Sequence, residues 1–241
     1  MDTTTYLALG RQVVLQRHMA TIATNLANLN TTGYRAEHTL FEQLVERATD
    51  GRQPIAFVQD RALVRDLSPG PIDRTGNPRD VALDGPGYLA FATPDGVRYG
   101  RAGHLELNAT GQLVDAQGHA LLDDAGNSIV LPPDDRAVTI AGDGTISGRA
   151  GPVARIGVVS FASEQALEPI GGGLYTTDQP PVPASGTRVV PGALEGSNVQ
   201  PVLEMTTMLE TVRAFAGASR LLETQHELER QSIERTIRVG G

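Results

Sequence analysis

Near each end of the chain, apolar residues recur in steps of three and four. Leu15, Met19, Ile22, Leu26 and Leu29 form one stripe, and Met205, Met208, Val212, Phe215, Ser219 and Leu222 form another. This is the spacing of a helix seam that packs against a second helix. It predicts a first helix over residues 3–29. Thr3 to Thr5 are the N-cap candidates, and Asp2 lies near the positive end of the helix dipole. The segment from Asn28 to Gly33 then stops that helix, because Asn and Thr bond locally to the backbone and Gly can take a positive φ. Pro201 suits the first turn of the last helix, where its missing donor costs nothing. Residues 36–48, with Leu40, Phe41, Leu44 and Val45, read as a continuing amphipathic helix.

Between the terminal stripes the pattern changes. Residues 49–77 contain Gly51, Pro54, Pro69, Gly70, Pro71 and Gly76, the composition of an extended connector with limited pairing. Residues 78–190 read as all-β. Val81 to Leu83 and Tyr88 to Phe91 are short strands, Asp95-Gly96 is a hairpin turn, and turn signals recur near Gly111, Gly118, Gly126 and Gly144. The fold class is therefore α+β, in three parts. Residues 1–34 and 196–241 make a terminal helical assembly domain, 35–77 a connector with a partly helical start, and 78–195 a central β domain. Helices confined to the two ends must meet each other or be lent to neighbouring copies.

Composition narrows the function classes. The formal charge of −8 argues against nucleic-acid binding, since nothing offsets phosphate repulsion. Cysteine is absent, which removes disulfides, thiolate metal sites and cysteine nucleophiles. That absence suits a chain that crosses membranes unfolded, and equally many cytosolic proteins. All 20 basic residues are arginine, a pattern that codon bias explains. The opening is acidic and its apolar run is broken by Arg11 and Arg17, so no cleaved signal peptide is expected. No window approaches the length of a membrane span, so no direct membrane insertion is expected.

Candidate chemistry is thin. Asp123 to Asn127 and the pair Asp134-Asp135 have the flavour of calcium loops but lack EF-hand spacing, and turn chemistry explains them. His18, His38, His104, His119 and His226 show no metal-ligand spacing; His18 and His226 read as partly buried packing residues on the terminal helices. Ser160 and Ser163 lack a nucleophile elbow, and Gly171 to Gly173 lack the Lys-Ser/Thr of a phosphate loop. No catalytic residue, metal ligand or cofactor is expected. Asn25 and Asn28 interrupt the first helix near its seam. They read equally as fraying or as register-fixing hydrogen bonds in a bundle.

Three segments carry a resemblance. Residues Ala23-Thr24-Asn25-Leu26-Ala27-Asn28-Leu29-Asn30-Thr31-Thr32-Gly33-Tyr34 resemble the N-terminal signature of bacterial flagellar rod and hook proteins, with Thr24 where many members carry Asn. Leu83 to Tyr88, Tyr99 to Leu105, Gly111 to Val114 and Gly118 to Leu122 resemble the family's central core, with Gly100 in place of Thr and His104 in place of an aromatic or polar residue. Leu194 to Val199, followed by Glu204, Met205, Arg213 and Phe215, resemble its C-terminal signature. The three lie in the family's order and span nearly the whole chain. Length and the opening from Asp2 to Leu9 favour a proximal-rod member over a distal-rod one.

The resemblance implies a structural subunit without catalysis, exported unfolded by the flagellar type III apparatus. It implies partners that are other rod subunits and copies of the chain itself, in a helical tube that spans the periplasm and transmits torque to the hook. It also implies that free subunits keep their ends disordered until docking. The expected assembly residues are the two stripes together with Asn25, Asn28, Gly33, Tyr34, Ser197, Asn198 and Arg213. The rival reading from another class is a ligand-binding or enzymatic β protein that its terminal helices dimerise. It requires polar groups converging in a pocket of the β domain.

Overall fold

The computed structural model describes residues 3–46, 55–132 and 138–239. Asp2, Gly51, Pro54, Asp134 and Asp135 of the sequence reading lie outside the described residues. The chain forms two compact units, one of Met1–Ala27, Glu37–Arg65 and Gln200–Gly241, the other of Asn28–Ala36 and Asp66–Val199. Both units are discontinuous in sequence, and their limits fall at other residues than the expected divisions after 34, 77 and 195.

The first unit holds helices α1 (Thr3–Ala27) and α2 (Pro201–Val239) and the antiparallel hairpin of β1 (Glu37–Glu46) and β2 (Ile55–Arg65). The two terminal helices pack on each other within one chain. In α2 the contact follows a heptad alternation: Glu204, Thr211 and Ala218 are buried, each followed four residues on by half-buried Met208, Phe215 and Leu222. On α1, Ala8, Val14, Ile22 and Asn25 are buried. A hydrogen bond of 2.8 Å from Gln12 Nε2 to Ser219 Oγ closes the seam between the helices. Thr211 is tolerated there because its hydroxyl donates to Thr207 O at 2.7 Å, so no polar atom is stranded.

The hairpin corrects the sequence reading in two places. Residues 36–48, expected to be helical, form strand β1 from residue 37, and the expected connector contains β2, paired with β1 along its length from Glu37↔Arg65 to Glu46↔Ile55. The apolar positions 40, 41, 44 and 45 fit helical spacing, but Ile55, Phe57, Val58 and Val64 opposite supply a strand partner rich in β-formers. Long-range pairing overrides the local pattern. Helix α1 also stops at Ala27, two residues before the expected end.

The second unit contains β3 (Ile72–Arg74), β4 (Val81–Asp84), β5 (Tyr88–Thr93), β6 (Gly96–Gly100), β7 (Glu106–Leu107), β8 (Leu113–Val114), β9 (Ala120–Leu121), β10 (Thr139–Ile140), β11 (Thr145–Gly148), β12 (Gly151–Arg155), β13 (Val158–Ser160), β14 (Glu168–Gly171), β15 (Leu174–Thr176), β16 (Val182–Pro183), β17 (Arg188–Pro191) and β18 (Ala193–Glu195). Nine strands form the main sheet, along β14-β15-β6-β5-β9-β8-β7, with β13 joining β5 and β16. Strand β5 is its centre. Leu89 and Phe91 point into one apolar core with Leu105, Leu121 and Ile146, while Tyr88 and Ala90 point into a second with Tyr99, Phe161 and Tyr175. A strand buried on both faces reads as a continuous apolar run, which is how Tyr88 to Phe91 stands in the sequence. The expected hairpin at Asp95-Gly96 is the β5–β6 turn, with Thr93 opposite Gly96.

Candidate assembly interface

The three sequence signatures converge on two polar clusters, one in each unit. In the first unit Asn25 is 1 % exposed. Its Nδ2 donates to Glu37 O at 2.9 Å and to Glu204 Oε1 at 3.1 Å, and its Oδ1 accepts from Glu37 N at 3.0 Å. One side chain thus joins α1 to the start of β1 and to the first turn of α2. Asn25 is therefore not a frayed end; its bonds are made inside the chain, not between copies. Asn28 acts locally instead, its Oδ1 accepting from Thr31 Oγ1 at 3.0 Å in the turn that ends α1. Thr24, the departure from the family pattern, is exposed and bonds back to Ala20 O, so it costs the packing nothing.

In the second unit the cluster centres on Glu195, 1 % exposed. Arg101 Nε donates to Glu195 Oε2 at 2.6 Å, and Arg35 Nη2 lies 3.2 Å from Oε1. The rest of the Arg101 guanidinium donates to the carbonyls of Gly87, Leu83 and Gly85, and Arg35 Nη1 donates to those of Leu67 and Ser68. Burial pulls the Arg35 pKa down from its ordinary value, Arg101 adds to the fall and Glu195 opposes it. Around this core the backbone approaches closely. Gly33, at φ +68°, donates its N–H to Glu195 O at 2.8 Å, and a Cβ there would sit 2.7 Å from the Arg101 carbonyl carbon. At Gly70 a Cβ would sit 2.1 Å from Gly196 O. Only glycine fits either place.

Asn198 completes the cluster. Its Oδ1 accepts from Ala36 N at 2.7 Å, and its Nδ2 donates to Asp66 O and Ser68 O, each at 3.0 Å. Tyr34 O accepts the Asn198 backbone N–H, and Ser197 Oγ accepts that of Val199. Sequence reading had marked Gly33, Tyr34, Ser197 and Asn198 but missed Arg35, Arg101 and Glu195. The signal was present in an Arg and a Glu inside short apolar motifs, where a buried charge needs a buried partner.

The predicted stripes are only partly used inside the chain. Ile22 is 2 % exposed, while Leu15, Met19, Leu26, Leu29, Met208, Phe215, Ser219 and Leu222 are half-buried. Met205 and Val212 are exposed at 55 % and 47 %, and Arg213 is exposed too. Val202, Met205, Leu209 and Val212 therefore make an uncovered apolar row on α2 at steps of three, four and three. Leu9 and Val13 are exposed on α1.

The β unit offers little chemistry. An apolar cleft of about 320 Å³ is lined by Ala90, Val97, Tyr99, Leu122 and Pro181, with Asp123 and Asp124 beside them. Asp123 Oδ1 is already engaged by the N–H groups of Ala125 and Asn127, the turn chemistry expected there. His104 Nδ1 lies 2.8 Å from Asp80 Oδ1, and His119 Nδ1 lies 2.9 Å from Asp115 Oδ2. His18 is half-buried, but His226 is exposed rather than partly buried. Among the described residues no group of three His, Cys, Asp or Glu side chains could hold a metal ion, and no helix is long and apolar enough to cross a membrane.

Comparison with known proteins follows the same three segments. A family described as flagella basal body rod protein matches residues 6–35, the D1 domain of flagellar hook protein FlgE/F/G matches 82–148, and the C-terminal region of flagellar basal body rod FlgEFG protein matches 190–235. The flagellar basal-body rod protein FlgF of Caulobacter vibrioides is 37 % identical over the full length of both chains. FlgF of Escherichia coli is 34 % identical over 93 % of this chain and 94 % of its own. FlgG of Bacillus subtilis, also a flagellar basal-body rod protein, is 30 % identical over 90 % and 93 %.

Proposed function

The chain belongs to the flagellar basal-body rod family, and on that premise we propose that it is the FlgF-type subunit of the proximal rod, built into a helical tube with copies of itself and other rod subunits. It is a structural protein of the basal body, not an enzyme. Its place in the rod spans the periplasm, it reaches that place through the flagellar type III export apparatus, and the tube carries torque towards the hook. The FlgF relative aligned end to end supports the proximal position over the distal one.

The observation that carries the assembly reading is the uncovered row Val202, Met205, Leu209 and Val212 on a helix whose other face is already paired. An apolar row left in water is a contact surface for another chain. In the tube that row packs on helices of neighbouring subunits, together with the half-covered Leu26, Met19 and Leu15. A non-closing contact repeated from copy to copy generates a helical assembly. The test is complementation in bacteria lacking the chain. The wild-type gene restores motility, whereas Met205→Asp or Leu26→Asp yields secreted subunit, no completed rod and no motility. Working rods built from both variants would refute the helical-tube reading.

A further inference from the structure

The backbone passes between the two compact units at four places: Ala27 to Asn28, Ala36 to Glu37, Arg65 to Asp66 and Val199 to Gln200. The chain segments leading to all four are held side by side in the second unit by one set of side chains and backbone hydrogen bonds, the first two passages sharing the segment 28–36. Next to the first passage, Gly33 N–H is bound to Glu195 O. At the second, Ala36 N–H is bound to Asn198 Oδ1 and Ala36 O accepts Asp66 N–H. At the third, the carbonyls of Asp66 and Ser68 are taken by Asn198, and those of Leu67 and Ser68 by Arg35. The fourth segment supplies Asn198 and Glu195 themselves. Arg101 fastens the whole set to the carbonyls of Leu83 in β4 and of Gly85 and Gly87 in the turn that follows.

We infer that the Arg35–Glu195–Arg101 ion cluster with Asn198 is a mechanical clasp, through which force borne by the helical unit passes into the β unit. The inference rests on the reading of the chain as a torque-carrying rod subunit. A pull on one segment therefore loads bonds to the others, and the load is shared across the cluster. Breaking one ion pair while the rest of the cluster stays closed is costly, because it leaves a buried charge without its partner. Ordinary stabilisation of a β domain would not need its partners drawn from every segment that leaves it.

The chain has no cysteine, so two can be added at exposed sites, Gln16→Cys in the helical unit and Ala116→Cys in the β unit, as handles for single-molecule pulling. The intact chain is held at constant force and the lifetime of the clasped state is read. Asn198→Ala should shorten that lifetime at least tenfold, with Asn198→Ser as the second variant if the first is insoluble. Core variants Ile146→Val and Leu131→Ala, melted alongside for comparison of thermal stability, should keep the wild-type lifetime. An unchanged lifetime in the Asn198 variants, or equal shortening in the core variants, overturns the clasp. Failure of the wild-type chain to complement would sink the rod reading and leave the pulling result standing.

Discussion

At the scale of single residues the family signatures turn out to be polar residues with buried work inside one chain. Asn25 uses its amide both as donor and as acceptor, on α2 and β1. Gly100, where the family pattern has Thr, lies so close to β15 that a Cβ would come 2.9 Å from Leu174 Cδ2, so the departure matches its neighbour. His18 gives the helical unit a pH dependence. Burial lowers its pKa below the ordinary 6.5 and His38 adds to the fall, while Glu204, the carboxylate facing it, acts in the opposite direction. The unfolded chain therefore binds the proton more readily than the folded one. His18 leaves folding unhindered above the unfolded pKa and destabilises it as pH falls from about 6.5 towards the folded pKa. Melting of the helical circular dichroism signal should shift downward between pH 7 and pH 5.5, and His18→Gln should flatten that shift. A profile that His18→Gln leaves unaltered would assign the effect elsewhere.

At the scale of elements, α2 shows how one apolar pattern serves two contacts. The stripe read from spacing, at Met205, Met208, Val212, Phe215, Ser219 and Leu222, is displaced by one residue at alternate positions from the intrachain seam of Glu204, Met208, Thr211, Phe215, Ala218 and Leu222. Apolar faces on helices are wider than one coiled-coil line, and Met205 and Val212 of the remaining half stay exposed. The two halves should respond differently to charge. Ala218→Asp puts a carboxylate in the buried seam and should lower the stability of the isolated helical unit by about 2–4 kcal/mol. Val212→Asp, on the exposed row, should change it by less than about 0.5 kcal/mol. Denaturant melts of the monomer followed at 222 nm check both, and equal effects would mean that the seam is misplaced. The β1–β2 hairpin was misread because residues 40, 41, 44 and 45 satisfy a helical period locally, and only the strand opposite decides between the two.

At the scale of the whole molecule the two units are interleaved along the chain, so domain boundaries drawn from composition cut through one of them. A fragment of residues 78–195 keeps Arg101 and Glu195 but loses Arg35, Gly33 and the β3 partner of β18. It should be less stable than a fragment of residues 28–199 with its hairpin replaced by a short linker, by about 3–5 kcal/mol for the broken buried ion cluster alone. Urea melts of both fragments decide, and equal midpoints would show that the cluster contributes nothing. Much was legible beforehand. Periodicity located both terminal helices, because a seam must repeat every three or four residues whatever it packs against. Gly, Asp and Pro marked the β turns, because those conformations admit few other residues. The order of three signatures pointed to the rod family, which the full-length relatives bear out. Tertiary structure alone decided that the ends meet in one chain, that residues 37–65 form a hairpin, and that Arg35, Arg101 and Glu195 come together. The reason is physical: a strand's partner and a buried charge's counter-ion are set by residues far away in sequence, which no local spacing records.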